Sequence, residues 1–283
     1  MTLDKMMRDY QVVAATDLAS TLEQELTGIA PYLGQRQFLT AIVSDSTYSL
    51  GGFSGNPIGL NIQYNPLSSC IQVDYTGMPH FAVFFHEMGH NFQGGSSMLY
   101  SFFAAAPLVG TPVSEGFANM CVLYTQRRIM LANDHLGLGS NAVNALIGPE
   151  NYDTYPNFRD YLLGRLNDYE KAPSINSLDE HILDGMMIVI CDNYGWECLP
   201  RFYSIFLPVT DHLPFDPLHD APTFLVASLS AAFQHDLLPY FRDQWRFPID
   251  QAFYDQILPE LTRRAALRDL PRNTASLEWL KAQ

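Results

Sequence analysis

The sequence predicts an α+β fold, with a small mixed β-sheet near the N-terminus packed on a helix that carries His86 and His90, then a mainly α-helical C-terminal lobe. Three observations predict it. Residues 38–75 hold three short runs of strand character, separated by turns containing Gly, Ser and Asn-Pro. The apolar run Phe81-Ala82-Val83-Phe84-Phe85 leads directly into His86-Glu87-Met88-Gly89-His90 at helical spacing. Beyond about residue 110, apolar positions keep a helical period almost to the end of the chain.

In chain order, Leu18, Leu22, Leu26 and Ile29 line one face of a helix over 17–30, with Asp17 as its N-cap and Pro31 and Gly34 ending it. Strands are expected over 38–43, 58–62 and 70–75, with turns at 51–56 and at Asn65-Pro66. The histidine-bearing helix is expected over about 79–93. Thr111-Pro112 reads as a cap residue followed by proline at the first helical position, opening a helix that carries Glu115 and ends near Asn133. Residues 136–152, dense in Gly, Asn and Pro, read as a long loop. Further helices are expected at 156–170, 178–194, 196–206, 222–234 and 250–267, with Pro208–Pro222 as a proline-rich connector. The organisation is thus a first lobe over 1–135 and a helical lobe over 136–283, together one catalytic unit.

A chain of 283 residues with 47% hydrophobic and 16% charged residues can bury a large core and holds no extensive disordered region. The net charge of −14 argues against nucleic acid and anionic membrane surfaces as partners. The four cysteines, Cys70, Cys121, Cys191 and Cys198, form no C-x-x-C pair and read as buried apolar residues or free thiols. Asp4, Lys5, Arg8 and Asp9 interrupt any apolar leader, and no run is long enough to span a bilayer. The expectation is a cytoplasmic protein, or a secreted one if a leader has been removed.

His86 and His90 stand four residues apart, so on a helix their imidazoles project from one face toward a common point, with Glu87 beside them. This H-E-x-x-H pattern supplies two nitrogen ligands for zinc and a carboxylate placed to take a proton from water. A catalytic zinc takes three protein ligands and keeps one open position. Glu115 is the candidate third ligand, one zinc being expected per chain. A bland alternative is a first-turn glutamate favoured by the helix dipole. His80 reads as a cap or loop residue, and His135, His212, His219 and His235 fall in or beside loops, away from the metal.

An H-E-x-x-H helix followed by a glutamate on the next long helix resembles the gluzincin zinc metallopeptidases, which include thermolysin and the zinc aminopeptidases. Glu115-Gly116-Phe117-Ala118 looks like the aminopeptidase version of that segment, while the run from His86 to Gln93 is closer to the enhancin-like, mucin-degrading group. Several gluzincins place an acidic residue four positions past the ligand glutamate to bond a ligand histidine. Here that residue is Asn119, whose amide can still accept from an imidazole N–H. His181-Ile182-Leu183-Asp184-Gly185 and the apolar run after it resemble the thermolysin-like segment whose histidine donates to the oxyanion, with Asp179 or Glu180 to hold its tautomer. Tyr124, Tyr152, Tyr155 and Tyr194 stand as alternatives, since the aminopeptidases use a tyrosine there. Asn193-Tyr194-Gly195-Trp196 and the segment from Phe224 to Trp245 resemble the later helices of the enhancin-like group, so that the likeness covers roughly residues 36–250. The Gly-x-Met-Glu-Asn segment with which aminopeptidases capture an amino terminus is absent.

The resemblance implies zinc-dependent, metalloendopeptidase-like hydrolysis of peptide or protein substrates, glycoproteins among them, with Glu87 as general base, His181 or a tyrosine at the oxyanion, and a sheet edge aligning the substrate by strand addition. The alternatives from other classes are a catalytically silent zinc-binding protein of the same fold, an aminopeptidase-like exopeptidase, and a core helix that holds no metal.

Overall fold

A computed structural model describes residues 11–27, 82–95, 106–132, 137–147, 155–205 and 213–266, together with Arg8 and five strand segments. Its helices, among the described residues, are α1 (Val12–Thr27), α2 (Ala82–Gly95), α3 (Gly110–Leu131), α4 (Ser140–Ile147), α5 (Tyr155–Glu170), α6 (Glu180–Tyr194), α7 (Leu199–Ile205), α8 (Ala221–Phe233) and α9 (Gln251–Ala266). Short 3₁₀ turns and a π-helical turn at Pro239–Gln244 join the later ones.

The expected α+β class is corrected: the described chain is mainly helical. Among the described residues, strand pairing is confined to β1 (Leu39–Ile42), β2 (Gly52–Phe53), β3 (Ile58–Asn61), β4 (Gln72–Val73) and β5 (Pro79–His80). These segments of two to four residues fall short of the five or six typical of a sheet-forming strand. They do not make the layer on which the domain is built. The core is made by helices packing on helices, with α1 against α2, α3 and α7, α2 against α3, and α3 against α6.

That core is one contiguous apolar cluster running from Leu26 on α1 to Ala265 on α9, across the division expected at 135/136. α8 is buried on all sides, from Ala221 to Phe233. A helix apolar all round belongs at the centre of a helical layer, and α7 and α9 cover it. Asp220 caps its start by accepting from the Thr223 N–H, and Gln234 closes it in the left-handed region at φ 56°. Trp245, fully buried, donates from Nε1 to Glu170, and its carbonyl accepts from the Tyr169 hydroxyl at 2.8 Å, which ties the π-helical turn to α5.

Three local expectations also change. α1 begins at Val12, so Asp17 lies inside it rather than at its cap. The 3.6 spacing of Ala15, Leu18, Ala19, Leu22 and Leu26, all buried, extends the helix one turn back past Asp17. α3 starts at Gly110 from an N-cap at Val109 that makes no side-chain hydrogen bond, leaving Thr111 in the first turn. Pro112 is tolerated there because first-turn N–H groups have no partner within the helix. The expected loop over 136–152 contains α4, held by the buried Ala142 and Val143. Cys121, Cys191 and Cys198 are buried free thiols. Residues 28–30, Cys70, Asn65-Pro66 and the first part of the Pro208–Pro222 connector lie outside the described residues. Among the described residues, no helix is long and apolar enough to cross a membrane.

Candidate metal centre

The site is built where α2 crosses α3. Phe85, Met88 and Phe92, spaced by three and four residues, are fully buried and anchor one face of α2. Gly89 sets how closely the two helices approach. A Cβ placed there would stand 3.0 Å from the Cβ of Cys121 and 3.2 Å from both the Cα and the carbonyl oxygen of Ala118. The missing side chain lets the α3 backbone come near enough for Glu115 and Asn119, one turn apart on α3, to reach the histidines of α2. Gly89→Ala is therefore expected to leave stability within about 1 kcal/mol, the gain in helix propensity offsetting the crowding. Metal affinity is expected to fall in the same variant, because Ala118 is pushed outward with its neighbours. Urea unfolding of the metal-free protein and a chelator competition measure the two effects separately.

His86 Nε2, His90 Nε2 and Glu115 Oε2 form a triangle with sides of 3.2, 3.2 and 3.4 Å. The two imidazole rings meet nearly edge to face, with centroids 4.8 Å apart and planes at 88°. Ligands about 2.0–2.1 Å from a shared tetrahedral centre lie roughly 3.3 Å from one another. The triangle therefore has the dimensions of a three-ligand site for one metal ion. Its chemistry agrees, since three lone pairs converging at this distance repel unless a cation or a proton lies between them. The His86, His90 and Glu115 side chains keep 21%, 11% and 40% of their surface exposed, so the triangle is open to solvent on one side.

Glu87 is buried, and burial pushes its carboxyl above the ordinary glutamate value against the pull of His86 and His90. Glu115 goes the other way: the His86 and His90 rings beside it, when protonated, donate to its carboxyl and hold it well below the usual range. On His86, burial disfavours the charged ring, but the Glu115 hydrogen bond, with the Glu87 and Glu115 charges and Asn119, outweighs it and raises its pKa.

Behind the triangle, His86 donates from Nδ1 to Asn119 Oδ1 at 2.7 Å, and Asn119 donates from Nδ2 to Asp184 Oδ2 on α6 at 2.8 Å. Asp184 is fully buried, and burial pushes its carboxyl well up. In the sequence Asp184 lies inside the His181 segment with no role attached to it. The sequence signal was present, a lone acid in the apolar run of α6, but nothing local pointed it at Asn119. Gly116 makes the contact, because a Cβ there would lie 3.0 Å from Asp184 Oδ1 and 3.5 Å from the Glu180 carbonyl.

His181 sits in the first turn of α6, where Asp179 caps the helix by accepting from the Ile182 N–H. Its ring packs edge-on against Tyr161 of α5, and its Nδ1 lies 3.8 Å from Glu180. These contacts direct it toward α5 and Glu180, and no described contact joins it to the triangle. Of the tyrosine alternatives, Tyr124 is buried and donates to Glu25, and Tyr194 stacks on His235. Tyr152, the side chains of His80 and Tyr155, and all of His135 and His212 lie outside the described residues. His219 is exposed and packs against Phe253.

No protein-family model matches this chain, and neither a curated protein nor a solved structure does.

Proposed function

We propose that the chain is a gluzincin-type zinc metallopeptidase that hydrolyses peptide bonds of extended peptide or protein substrates. The observation that carries the reading is the His86, His90 and Glu115 triangle, open on one side, with a buried glutamate next in sequence to its first histidine. A bound zinc would supply Lewis acidity, drawing the pKa of water from about 16 toward about 7 and polarising a carbonyl. The imidazoles of His86 and His90 and the carboxylate of Glu115 would hold it as three protein donors.

Glu87 is the general base. Its raised pKa brings the carboxylate nearer to neutrality, where it takes the proton of the attacking water and returns it to the leaving amine. Glu115, whose basicity its neighbours lower, is the weaker proton acceptor and serves as a charged ligand. Glycoproteins are within the proposed substrate class through the likeness to the mucin-degrading group.

The second reading is a zinc-binding protein without catalysis. It is favoured by one observation, that His181 and Tyr124 are both engaged away from the triangle. Elemental analysis and hydrolysis of casein separate the two. The proposal expects one zinc per chain and cleavage that a chelator stops and added zinc restores. Zinc without cleavage supports the second reading. Absence of metal after zinc is supplied overturns both.

A further inference from the structure

We propose that Asp184 is a positioning residue of the metal centre, acting through Asn119 to hold His86 in the tautomer that can bind a metal. The inference rests on the metal-site reading and extends it to a residue on α6, distant in sequence from every ligand.

The argument starts from the amide. Asn119 has two faces of opposite character, an acceptor oxygen and a donor nitrogen, and a half-turn of the amide exchanges them. With Oδ1 toward His86, the ring must carry its proton on Nδ1, which leaves the Nε2 lone pair free and pointing at His90 and Glu115. With Nδ2 toward His86, Nδ1 would have to accept, Nε2 would carry the proton, and the ring could not be a ligand. Both orientations fill the same space, so packing does not choose between them.

Asp184 does choose. As a carboxylate, its Oδ2 accepts from Asn119 Nδ2 at 2.8 Å, and in that form the opposite orientation would set the amide oxygen against the carboxyl oxygen. The second oxygen, Oδ1, is buried with no hydrogen-bond partner among the described residues and faces the backbone of Gly116. A buried acid with half of its hydrogen-bonding capacity unmet is costly. Asn119 is its one described polar partner. Outer hydrogen bonds that orient a ligand imidazole commonly change metal affinity by about 10–100-fold when removed. Most such partners touch the histidine directly, whereas here the carboxylate stands one residue further out and an amide transmits its orientation.

The test uses the full chain and two readouts. Nitrogen-15 NMR of the metal-free protein, in alkaline buffer where the ring is neutral, reports the His86 tautomer. A chelator competition reports zinc affinity. Wild type is expected to show the Nδ1–H form. Asp184→Leu is expected to lose that preference and to bind zinc about 10–100-fold more weakly. The exchange variant Asn119→Asp with Asp184→Asn keeps both hydrogen bonds and the buried volume while moving the acceptor next to His86. It is expected to keep the Nδ1–H form and to bind zinc at least as tightly as wild type. Each single change, Asn119→Asp or Asp184→Asn, should bind more weakly than the pair. An Asp184→Leu protein that keeps the Nδ1–H form and wild-type affinity overturns the proposal. So does an exchange variant that folds but loses that tautomer, and it guards against Asp184→Leu failing to fold. If wild type binds no metal, the metal-site reading fails, and the tautomer in the metal-free protein still decides whether Asp184 sets it.

Discussion

Glu115→Ala is expected to strip the metal from the protein while leaving the fold in place. Glu115 provides one corner of a triangle whose other corners lie 3.2 and 3.4 Å away, and it is the one anionic donor among the three. Two neutral imidazoles without the carboxylate hold a divalent ion far less well, and the loss should exceed the roughly hundredfold upper range found for outer partners. The fold has little at stake. The side chain is 40% exposed in the second turn of α3 and fills no apolar space, and its interactions with the histidines are partly screened by water. The metal-free variant should therefore unfold at nearly the same urea concentration as metal-free wild type. With zinc at a hundred times the wild-type dissociation constant, wild type should gain about 2.7 kcal/mol from mass action, and the variant less than about 0.4 kcal/mol. Elemental analysis together with urea unfolding at two zinc concentrations reads both effects. A variant that still holds one zinc per chain would remove Glu115 from the site.

The difference between what could and could not be read from the sequence follows the range over which each contact is set. His86 and His90 face one point because four residues make about one helical turn, and the same spacing puts Asn119 above Glu115. Those relations are local and needed no tertiary information beyond the crossing of two helices. Gly89 and Gly116 were visible as letters, but their role was not. Each matters for what stands opposite, Ala118 and Cys121 for the one and Asp184 for the other. Asp184 reaches the site from α6 only because Gly116 admits it, so no spacing rule could have pointed to it. The later helices were legible nearly to the residue, as with 250–267 against Gln251–Ala266, because their apolar period is long and regular.

The fold class failed for a related reason. Runs such as Phe38–Val43 carry the composition of strands, and composition alone does not say how far pairing extends. Pairing over two to four residues leaves the core to the helices, and α1 packs directly on α2 and α3. At His181 the sequence shows the position on the helix but not what the ring packs against. Its distance from Gly185 fits the thermolysin-like pattern, yet position four turns it to the same face as Gly185. That face packs on α5, where a Cβ on Gly185 would stand 2.6 Å from the Leu162 carbonyl oxygen and where Tyr161 holds the ring.

Glu87→Gln is expected to keep the metal and lose hydrolysis, falling about 10²–10⁴-fold, the range typical of a positioned general base. Glu87 follows His86 directly, and adjacent residues on a helix do not share a face, so the carboxylate stands beside the ligands without joining their triangle. It is missing from the converging donor set for the same reason. Glutamine has the same shape and fills the same buried space but cannot accept a proton. Burial already disfavours the ionised carboxyl, so a neutral amide should cost the fold nothing and should leave the unfolding midpoint equal or higher. The variant thus isolates proton transfer from binding and folding. Zinc content by elemental analysis should match wild type, while casein cleavage should drop with kcat and leave KM little changed, as for a group that acts in the transition state. A variant that cleaves at near the wild-type rate would end the general-base assignment. One that cleaves nothing because it has also lost its zinc would place Glu87 among the ligands instead, and the site would then have four protein donors and no free position for a substrate.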